Sequence, residues 1–181
     1  MTGLSRVFDA AFPPQAAPPG VTGVLGYLGG PRAAHVWTLG EWQRFGTLLQ
    51  FPCWVPATAT DNPVQSAIQA CNAAKELGWA PMQAAKRVIV CDLETEVVRA
   101  WYAMFAAEVE QQGFTSVAYG SLSTILANAA SDVWVAAWDG TPALLPGQTV
   151  HAHQYFAGNT LDYSVCDEWL MARGGQGPRH A

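Results

Sequence analysis

What most constrains the fold of this chain is an alternation. Eight short runs of strand character, at 7–12, 21–28, 48–56, 87–94, 115–119, 133–138, 149–156 and 161–163, are interleaved with helical patterns between the second and the sixth. Short apolar runs closed by Gly, Pro or polar turn residues read as strands. The helices are read from caps and periodicity. Thr38-Leu39-Gly40-Glu41 sets a hydroxyl and a Glu at capping-box spacing, which predicts a helix to about Gly46. Asn62-Pro63 supplies a polar cap and a first-turn proline, after which Val64, Ala67, Ile68, Cys71, Ala74 and Leu77 keep helical spacing until Gly78. Thr95 caps a third helix with the stripe Val97, Trp101, Met104, Phe105 and Val109, stopped by Gly113, and a short fourth covers 122–130.

Strands alternating with helices argue for an α/β fold with a parallel sheet. Eight of them make a closed barrel the leading architecture: a reduced (β/α)8 TIM-like barrel with about four helices and helix-poor edges near the termini. An open doubly wound sheet is the alternative, but no G-x-G-x-x-G or Walker loop is there to supply its usual phosphate site.

The length of 181 residues fits one domain, placed at 1–172, with a Gly- and Pro-containing tail at 173–181 expected to be flexible. Half of the residues are apolar, enough for a core without disulfides or metal. Charged residues make up 13% and the net charge is −5, which leaves no basic footprint for nucleic acid or an anionic membrane and favours a neutral partner such as a sugar. No run reaches the length of a membrane span. Met1 to Arg6 leads directly into a strand without an apolar leader, so the expectation is a protein made in the cytoplasm. Cys53, Cys71, Cys91 and Cys166 lie far apart and read as buried thiols; no metal and no cofactor are expected.

The chemistry-bearing candidates are acids at strand ends. The run Arg87 to Glu94 ends in Asp92 and Glu94, one residue apart, so that in a strand both face the same way at its C-terminal end. Asp162 lies on the eighth run and Asp9 on the first. In a closed barrel strands one and eight are neighbours and strand four lies across the mouth, which lets these carboxylates converge over a central cleft. A solvated acidic pair at a strand-to-helix junction, and an Asp9 bonded inside the barrel, are the plain alternatives.

Asp9 in Phe8-Asp9-Ala10, the D-x-E of Asp92-Leu93-Glu94, Ala118-Tyr119-Gly120-Ser121, Trp134-Val135-Ala136-Ala137-Trp138, His153-Gln154-Tyr155 and Leu161-Asp162-Tyr163 run in order over nearly the whole chain. In these motifs the sequence resembles the glycoside hydrolase family 25 lysozymes and their glycoside-hydrolase-like relatives of actinobacteria and phages. The resemblance implies a muramidase cleaving the β-1,4 bond between N-acetylmuramic acid and N-acetylglucosamine. It casts Glu94 as the general acid, Asp92 as its partner carboxylate, and Asp9 and Asp162 as floor and flanking acids. Tyr119 and Trp138 become walls of the sugar site, with Trp134, Gln154 and Tyr155 beside them. The implied partner is the glycan strand of peptidoglycan, met at the cell wall after lysis or as part of a phage particle with its structural proteins. Two places depart from the family's pattern: Ala10-Ala11-Phe12-Pro13-Pro14 after Asp9, and His153 where a Trp is usual.

Other chemistries are weaker. His151 and His153 are one residue apart and could join Asp92 and Glu94 around a metal, but no His-rich partner segment accompanies them. Ser121 and Ser123 lack a G-x-S-x-G elbow. Trp54, Trp134 and Trp138 are read first as core, with Trp138 equally suited to a groove. A catalytically silent structural or wall-binding protein on the same fold is the second functional reading.

Overall fold

The computed structural model describes residues 4–79, 86–93, 99–128, 130–144 and 149–176. Eight strands close into a barrel: β1 (Ser5–Asp9), β2 (Gly23–Gly29), β3 (Leu49–Trp54), β4 (Val88–Asp92), β5 (Thr115–Ser121), β6 (Val133–Ala136), β7 (Val150–Ala157) and β8 (Asp162–Cys166). Their order is β2-β1-β8-β7-β6-β5-β4-β3, and β2 pairs with β3 to complete the circle. A two-residue β9 (Gly175–Gln176) adds to β3.

Around the barrel lie α1 (Leu39–Arg44), α2 (Pro63–Glu76), α3 (Arg99–Gln111), α4 (Leu122–Asn128) and a single-turn α5 (Glu168–Met171). The expected capping box is present: the Thr38 hydroxyl accepts from the Glu41 N–H, and the Glu41 carboxylate accepts from the Thr38 N–H. Asn62 caps α2 with Pro63 in its first turn. Thr95, the expected cap of α3, lies outside the described residues. The fold is thus the reduced α/β barrel the sequence implies, helix-poor where β1 crosses to β2 and near its end.

Three details differ from the sequence reading. First, β8 runs antiparallel to both β7 and β1. Only the turn from Gly158 to Leu161 separates β7 from β8, far short of the crossover a parallel neighbour needs, so the chain must reverse. Second, α5 is a fifth helix, capped by the Asp167 carboxylate on the Leu170 N–H; at four residues it is too short to leave a periodic signal. Third, ordered structure continues past 172. Gly175-Gln176 pairs with Leu49-Gln50, at the opposite end of β3 from its pairing with β4. A Cβ at Gly175 would lie 2.5 Å from the Trp79 ring, so this closure requires glycine. Residues 177–181 lie outside the described residues.

Alternation divides the strand residues between two cores. Val7, Leu25, Phe51, Val90, Val117 and Trp134 fill the barrel interior with their same-parity neighbours. Phe8, Val24, Ile89, Cys91 and Val135 face outward, against Trp42 and Phe45 of α1, Ala67 and Cys71 of α2, Trp101 and Phe105 of α3 and Ile125 of α4. The inward parity decides the site, because the last inward positions of β1, β4 and β8 are acids or lie beside one.

Candidate active site

Asp9 follows Val7 on the inward face of β1, and Asp92 follows Val88 and Val90 on that of β4. Asp162 begins β8, directly across from Asp9 in the antiparallel register. The antiparallel register sets the two side chains across from one another at the same end of the barrel. Burial pushes the Asp162 carboxyl above its usual range. The Gly158 N–H donating to its Oδ1 at 3.0 Å, together with side-chain bonds to Asp9 and Gln154, pulls it partly back.

A cleft of about 370 Å³ opens over this pair, lined by Asp9, Tyr27, Tyr119, Ser121, Ala136, Trp138 and Asp162. An adjoining lobe of about 270 Å³ shares Asp9, Tyr27 and Asp162 and continues past Ala10, Ala11 and Phe12 on one side and Gly158, Asn159 and Thr160 on the other. The cleft lies at the C-terminal ends of the parallel strands, where barrel enzymes carry their chemistry.

Gln154 organises the polar floor. Its Oε1 accepts from the Tyr119 hydroxyl at 2.7 Å and from Trp138 Nε1 at 2.9 Å, and its Nε2 donates to Asp9 Oδ2 at 3.2 Å. An indole N–H can only donate, so the amide orientation is fixed. A bulge between Gln154 and Phe156 in the β7–β8 pairing accompanies this inward placement. Trp138 is 60% exposed and takes φ 48°, a left-handed conformation a bulky residue rarely adopts. Both its N–H and that of Ala137 donate to the Gln154 carbonyl, each at 3.1 Å, which holds the bent backbone.

The expected site residues therefore separate. Asp9, Asp162, Tyr119 and Trp138 line the cleft together. Asp92 is buried in register with Tyr119 and is not part of the lining among the described residues. Glu94 lies outside the described residues. Gln154 is buried and acts through its neighbours. Trp134, expected beside the sugar, is core instead: it is fully buried in the barrel, donates to the Ser164 hydroxyl at 2.9 Å and meets the Phe51 ring edge-on at 5.7 Å. Its inward position lies one layer below the mouth, so parity carries it into packing. Tyr155 is half-buried at the bulge and likewise does not line the cleft among the described residues. Tyr27 and Phe12 were not singled out from sequence. Tyr27 had a signal, since it lies two residues past inward Leu25 at the end of β2.

The competing chemistries dissolve in the same geometry. His151 and His153 alternate with inward Ala152, so they project from the outside of the barrel. His151 lies between Asp167 Oδ2 at 2.8 Å and Asp132 Oδ1 at 3.1 Å and stacks on Trp169 at 3.8 Å, at the end opposite the cleft. His153 Nδ1 meets the Ala143 carbonyl. No group of three or more metal-ligating side chains gathers among the described residues. The Ser121 hydroxyl accepts from the Thr124 N–H at the start of α4, a helix-capping role.

The same barrel is found in several solved structures, a lysozyme among them. A bacterial lysozyme from Streptomyces coelicolor superposes with a TM-score of 0.71 at 14% identity, covering 96% of this chain and 98% of its own. An uncharacterized protein of B. stearothermophilus gives a TM-score of 0.72 at 17% identity, over 94% of this chain and 100% of that one. The modular autolysin LytC from Streptococcus pneumoniae, solved with a synthetic peptidoglycan ligand, gives 0.64 at 15% identity over 90% of this chain, which spans 46% of the autolysin. No protein-family model and no curated protein matches the sequence. At these identities the likeness is one of fold.

Proposed function

We propose that this protein is a glycoside hydrolase acting on the glycan strand of peptidoglycan, cleaving it as an N-acetylmuramidase. The observation that carries the reading is the cleft itself, in which Asp9 and Asp162 lie across from one another beside an exposed indole. Glycoside cleavage needs one protonated carboxyl to release the leaving oxygen and another kept charged beside an oxocarbenium-like centre. Crowded acids divide into those two states because they cannot all ionise. The aromatic rim suits the apolar face of a sugar ring, and the lysozyme-like fold supports the same assignment.

In this reading Glu94 donates its proton to the glycosidic oxygen as the C1–O bond breaks. Water then delivers hydroxide to C1 and returns a proton to the carboxylate. Asp92, in register with Tyr119, supplies the negative charge the cleavage needs, while Asp9 and Asp162 bind and orient the sugar. The working place is the cell wall, reached after lysis or within a phage particle.

Turbidity of purified cell walls tests the proposal. Wild type should clear them, and Glu94→Gln should lower the rate by a factor of about 100 or more. Equal inactivity of both, with retained binding to walls, would replace it with a catalytically silent wall-binding protein on the same barrel.

A further inference from the structure

Phe12 is the most exposed large apolar side chain among the described residues, at 66%, yet it is held in place. The His35 ring stacks on it with centroids 5.2 Å apart and planes 19° from parallel. His35 is itself pinned, its Nε2 lying 3.1 Å from both oxygens of Glu41, the carboxylate that closes the capping box of α1. The backbone around Phe12 is tied on both sides: Trp37 Nε1 donates to the Ala11 carbonyl at 3.2 Å, and Arg44 Nη1 donates to the Pro14 carbonyl at 2.8 Å. Trp37 lies so close against Gly26 that a Cβ there would meet its ring at 2.7 Å, which fixes the indole that holds the loop. An irregular segment with no secondary structure of its own thus presents one flat ring on a stack anchored to a helix start.

The position of that ring gives it meaning. Trp138 borders the larger lobe of the cleft and Phe12 the smaller one, and the residues the two lobes share are Asp9, Tyr27 and Asp162. The two aromatic residues thus border different lobes, and the acid pair borders both. The smaller lobe is also lined by Asn159 and Thr160, so an apolar ring shares it with hydrogen-bonding groups. A pyranose ring matches that pairing, with C–H bonds on one face and hydroxyls around its edge. A purely apolar partner would desolvate the acids and amide without offering them any further hydrogen bond.

We propose that Phe12, backed by His35, is a stacking platform for a second sugar unit of the glycan strand, in the lobe adjoining the one that Trp138 borders. This rests on the glycan-hydrolase reading and extends it: the cleft engages a chain in both lobes, so affinity rises with glycan length. The pre-set ring costs little ordering entropy on binding.

Calorimetric titration with a peptidoglycan disaccharide and tetrasaccharide tests this, with Glu94→Gln in every protein to preserve the ligand. The readout is the ratio of tetrasaccharide to disaccharide affinity. Phe12→Ala should lower that ratio roughly three- to tenfold, and Phe12→Trp should restore it. His35→Ala should lower it less, since the ring remains but loses its backing. A ratio unchanged in Phe12→Ala overturns the platform and leaves the glycan reading standing. A loss that Phe12→Trp does not restore makes Phe12 a loop-shaping residue and also overturns it. If neither oligosaccharide binds the protein with Phe12 intact, both the platform and the glycan reading fall. A melting temperature for Phe12→Ala within about 2 °C of the parent confirms that the fold is retained, as the exposure of the ring implies.

Discussion

Gln154 donates to Asp9 in one fixed orientation, because its carbonyl oxygen is already occupied by the Tyr119 hydroxyl and the Trp138 indole. One amide therefore couples the acid pair to the aromatic rim. Gln154→Glu keeps the shape but places an acceptor against Asp9. The variant should fold with a stability loss of about 1–3 kcal/mol and lose most activity at neutral pH. Part of that activity should return on acidification, when the new carboxyl can donate. Wall-clearing rates across pH, read beside thermal melts, check this; activity unchanged at neutral pH would show that the coupling is unimportant.

Asp162 ties stability to pH with a defined sign. Its folded-state carboxyl titrates above the ordinary value of 3.8, chiefly through burial, so the folded chain holds this proton more tightly than the unfolded chain does. The stabilisation is complete below the unfolded value and is lost as pH rises through the folded one. Asp162→Asn can still accept from Gly158 and offers Asp9 a permanent donor, without the titration. The melting temperature of wild type minus that of Asp162→Asn should therefore fall as the pH rises above the ordinary carboxyl value of 3.8, with the variant the more stable once Asp162 is ionised and impaired in wall clearing. A difference that is flat or rises with pH would refute the assignment.

Trp138 inverts an ordinary preference. Glycine is usually less stabilising than alanine, but at φ 48° the Cβ of alanine is the liability. Trp138→Gly should be more stable than Trp138→Ala by about 1 kcal/mol, while both lose the bond to Gln154 and bind glycan more weakly than wild type. Chemical denaturation of the two variants measures the gap; alanine equal or better would mean that the strained backbone relaxes once the indole is gone.

Local chemistry was the legible part of this fold. Thr38 with Glu41 and Asn62 with Pro63 act within one turn of helix, and each forms the cap its spacing implies. The eight runs likewise become eight barrel strands, because short apolar runs bounded by turn residues are what a strand covered on both faces leaves in a sequence. The site was legible to the extent that strand parity fixes it: Asp9 and Asp162 meet because both lie at inward strand ends. Parity does not give depth. Trp134 and Ala136 share a face, but which layer reaches solvent depends on strand tilt and stagger, properties of the closed barrel. Trp138 reaches the rim through a backbone conformation that nothing in a tryptophan announces, and the Gln154 network accompanies a bulge set by the neighbouring strand. Phe12 was hidden for a related reason: its support comes from His35, Trp37 and Arg44, which are distant in sequence and brought together by the return of β2 beside β1.

The acid pair lies on a seam joining nearly the two ends of the chain, where β1 meets β8. Closing that seam requires the longest loop the molecule has to order, so it belongs to the late part of folding. A partly folded chain with β2 through β7 in place holds Asp9 and Asp162 apart and has no site. Because the same seam joins segments far apart in the sequence, it is a natural place for the barrel to open first. Competence for chemistry is thereby tied to completion of the fold, and its loss should precede global unfolding.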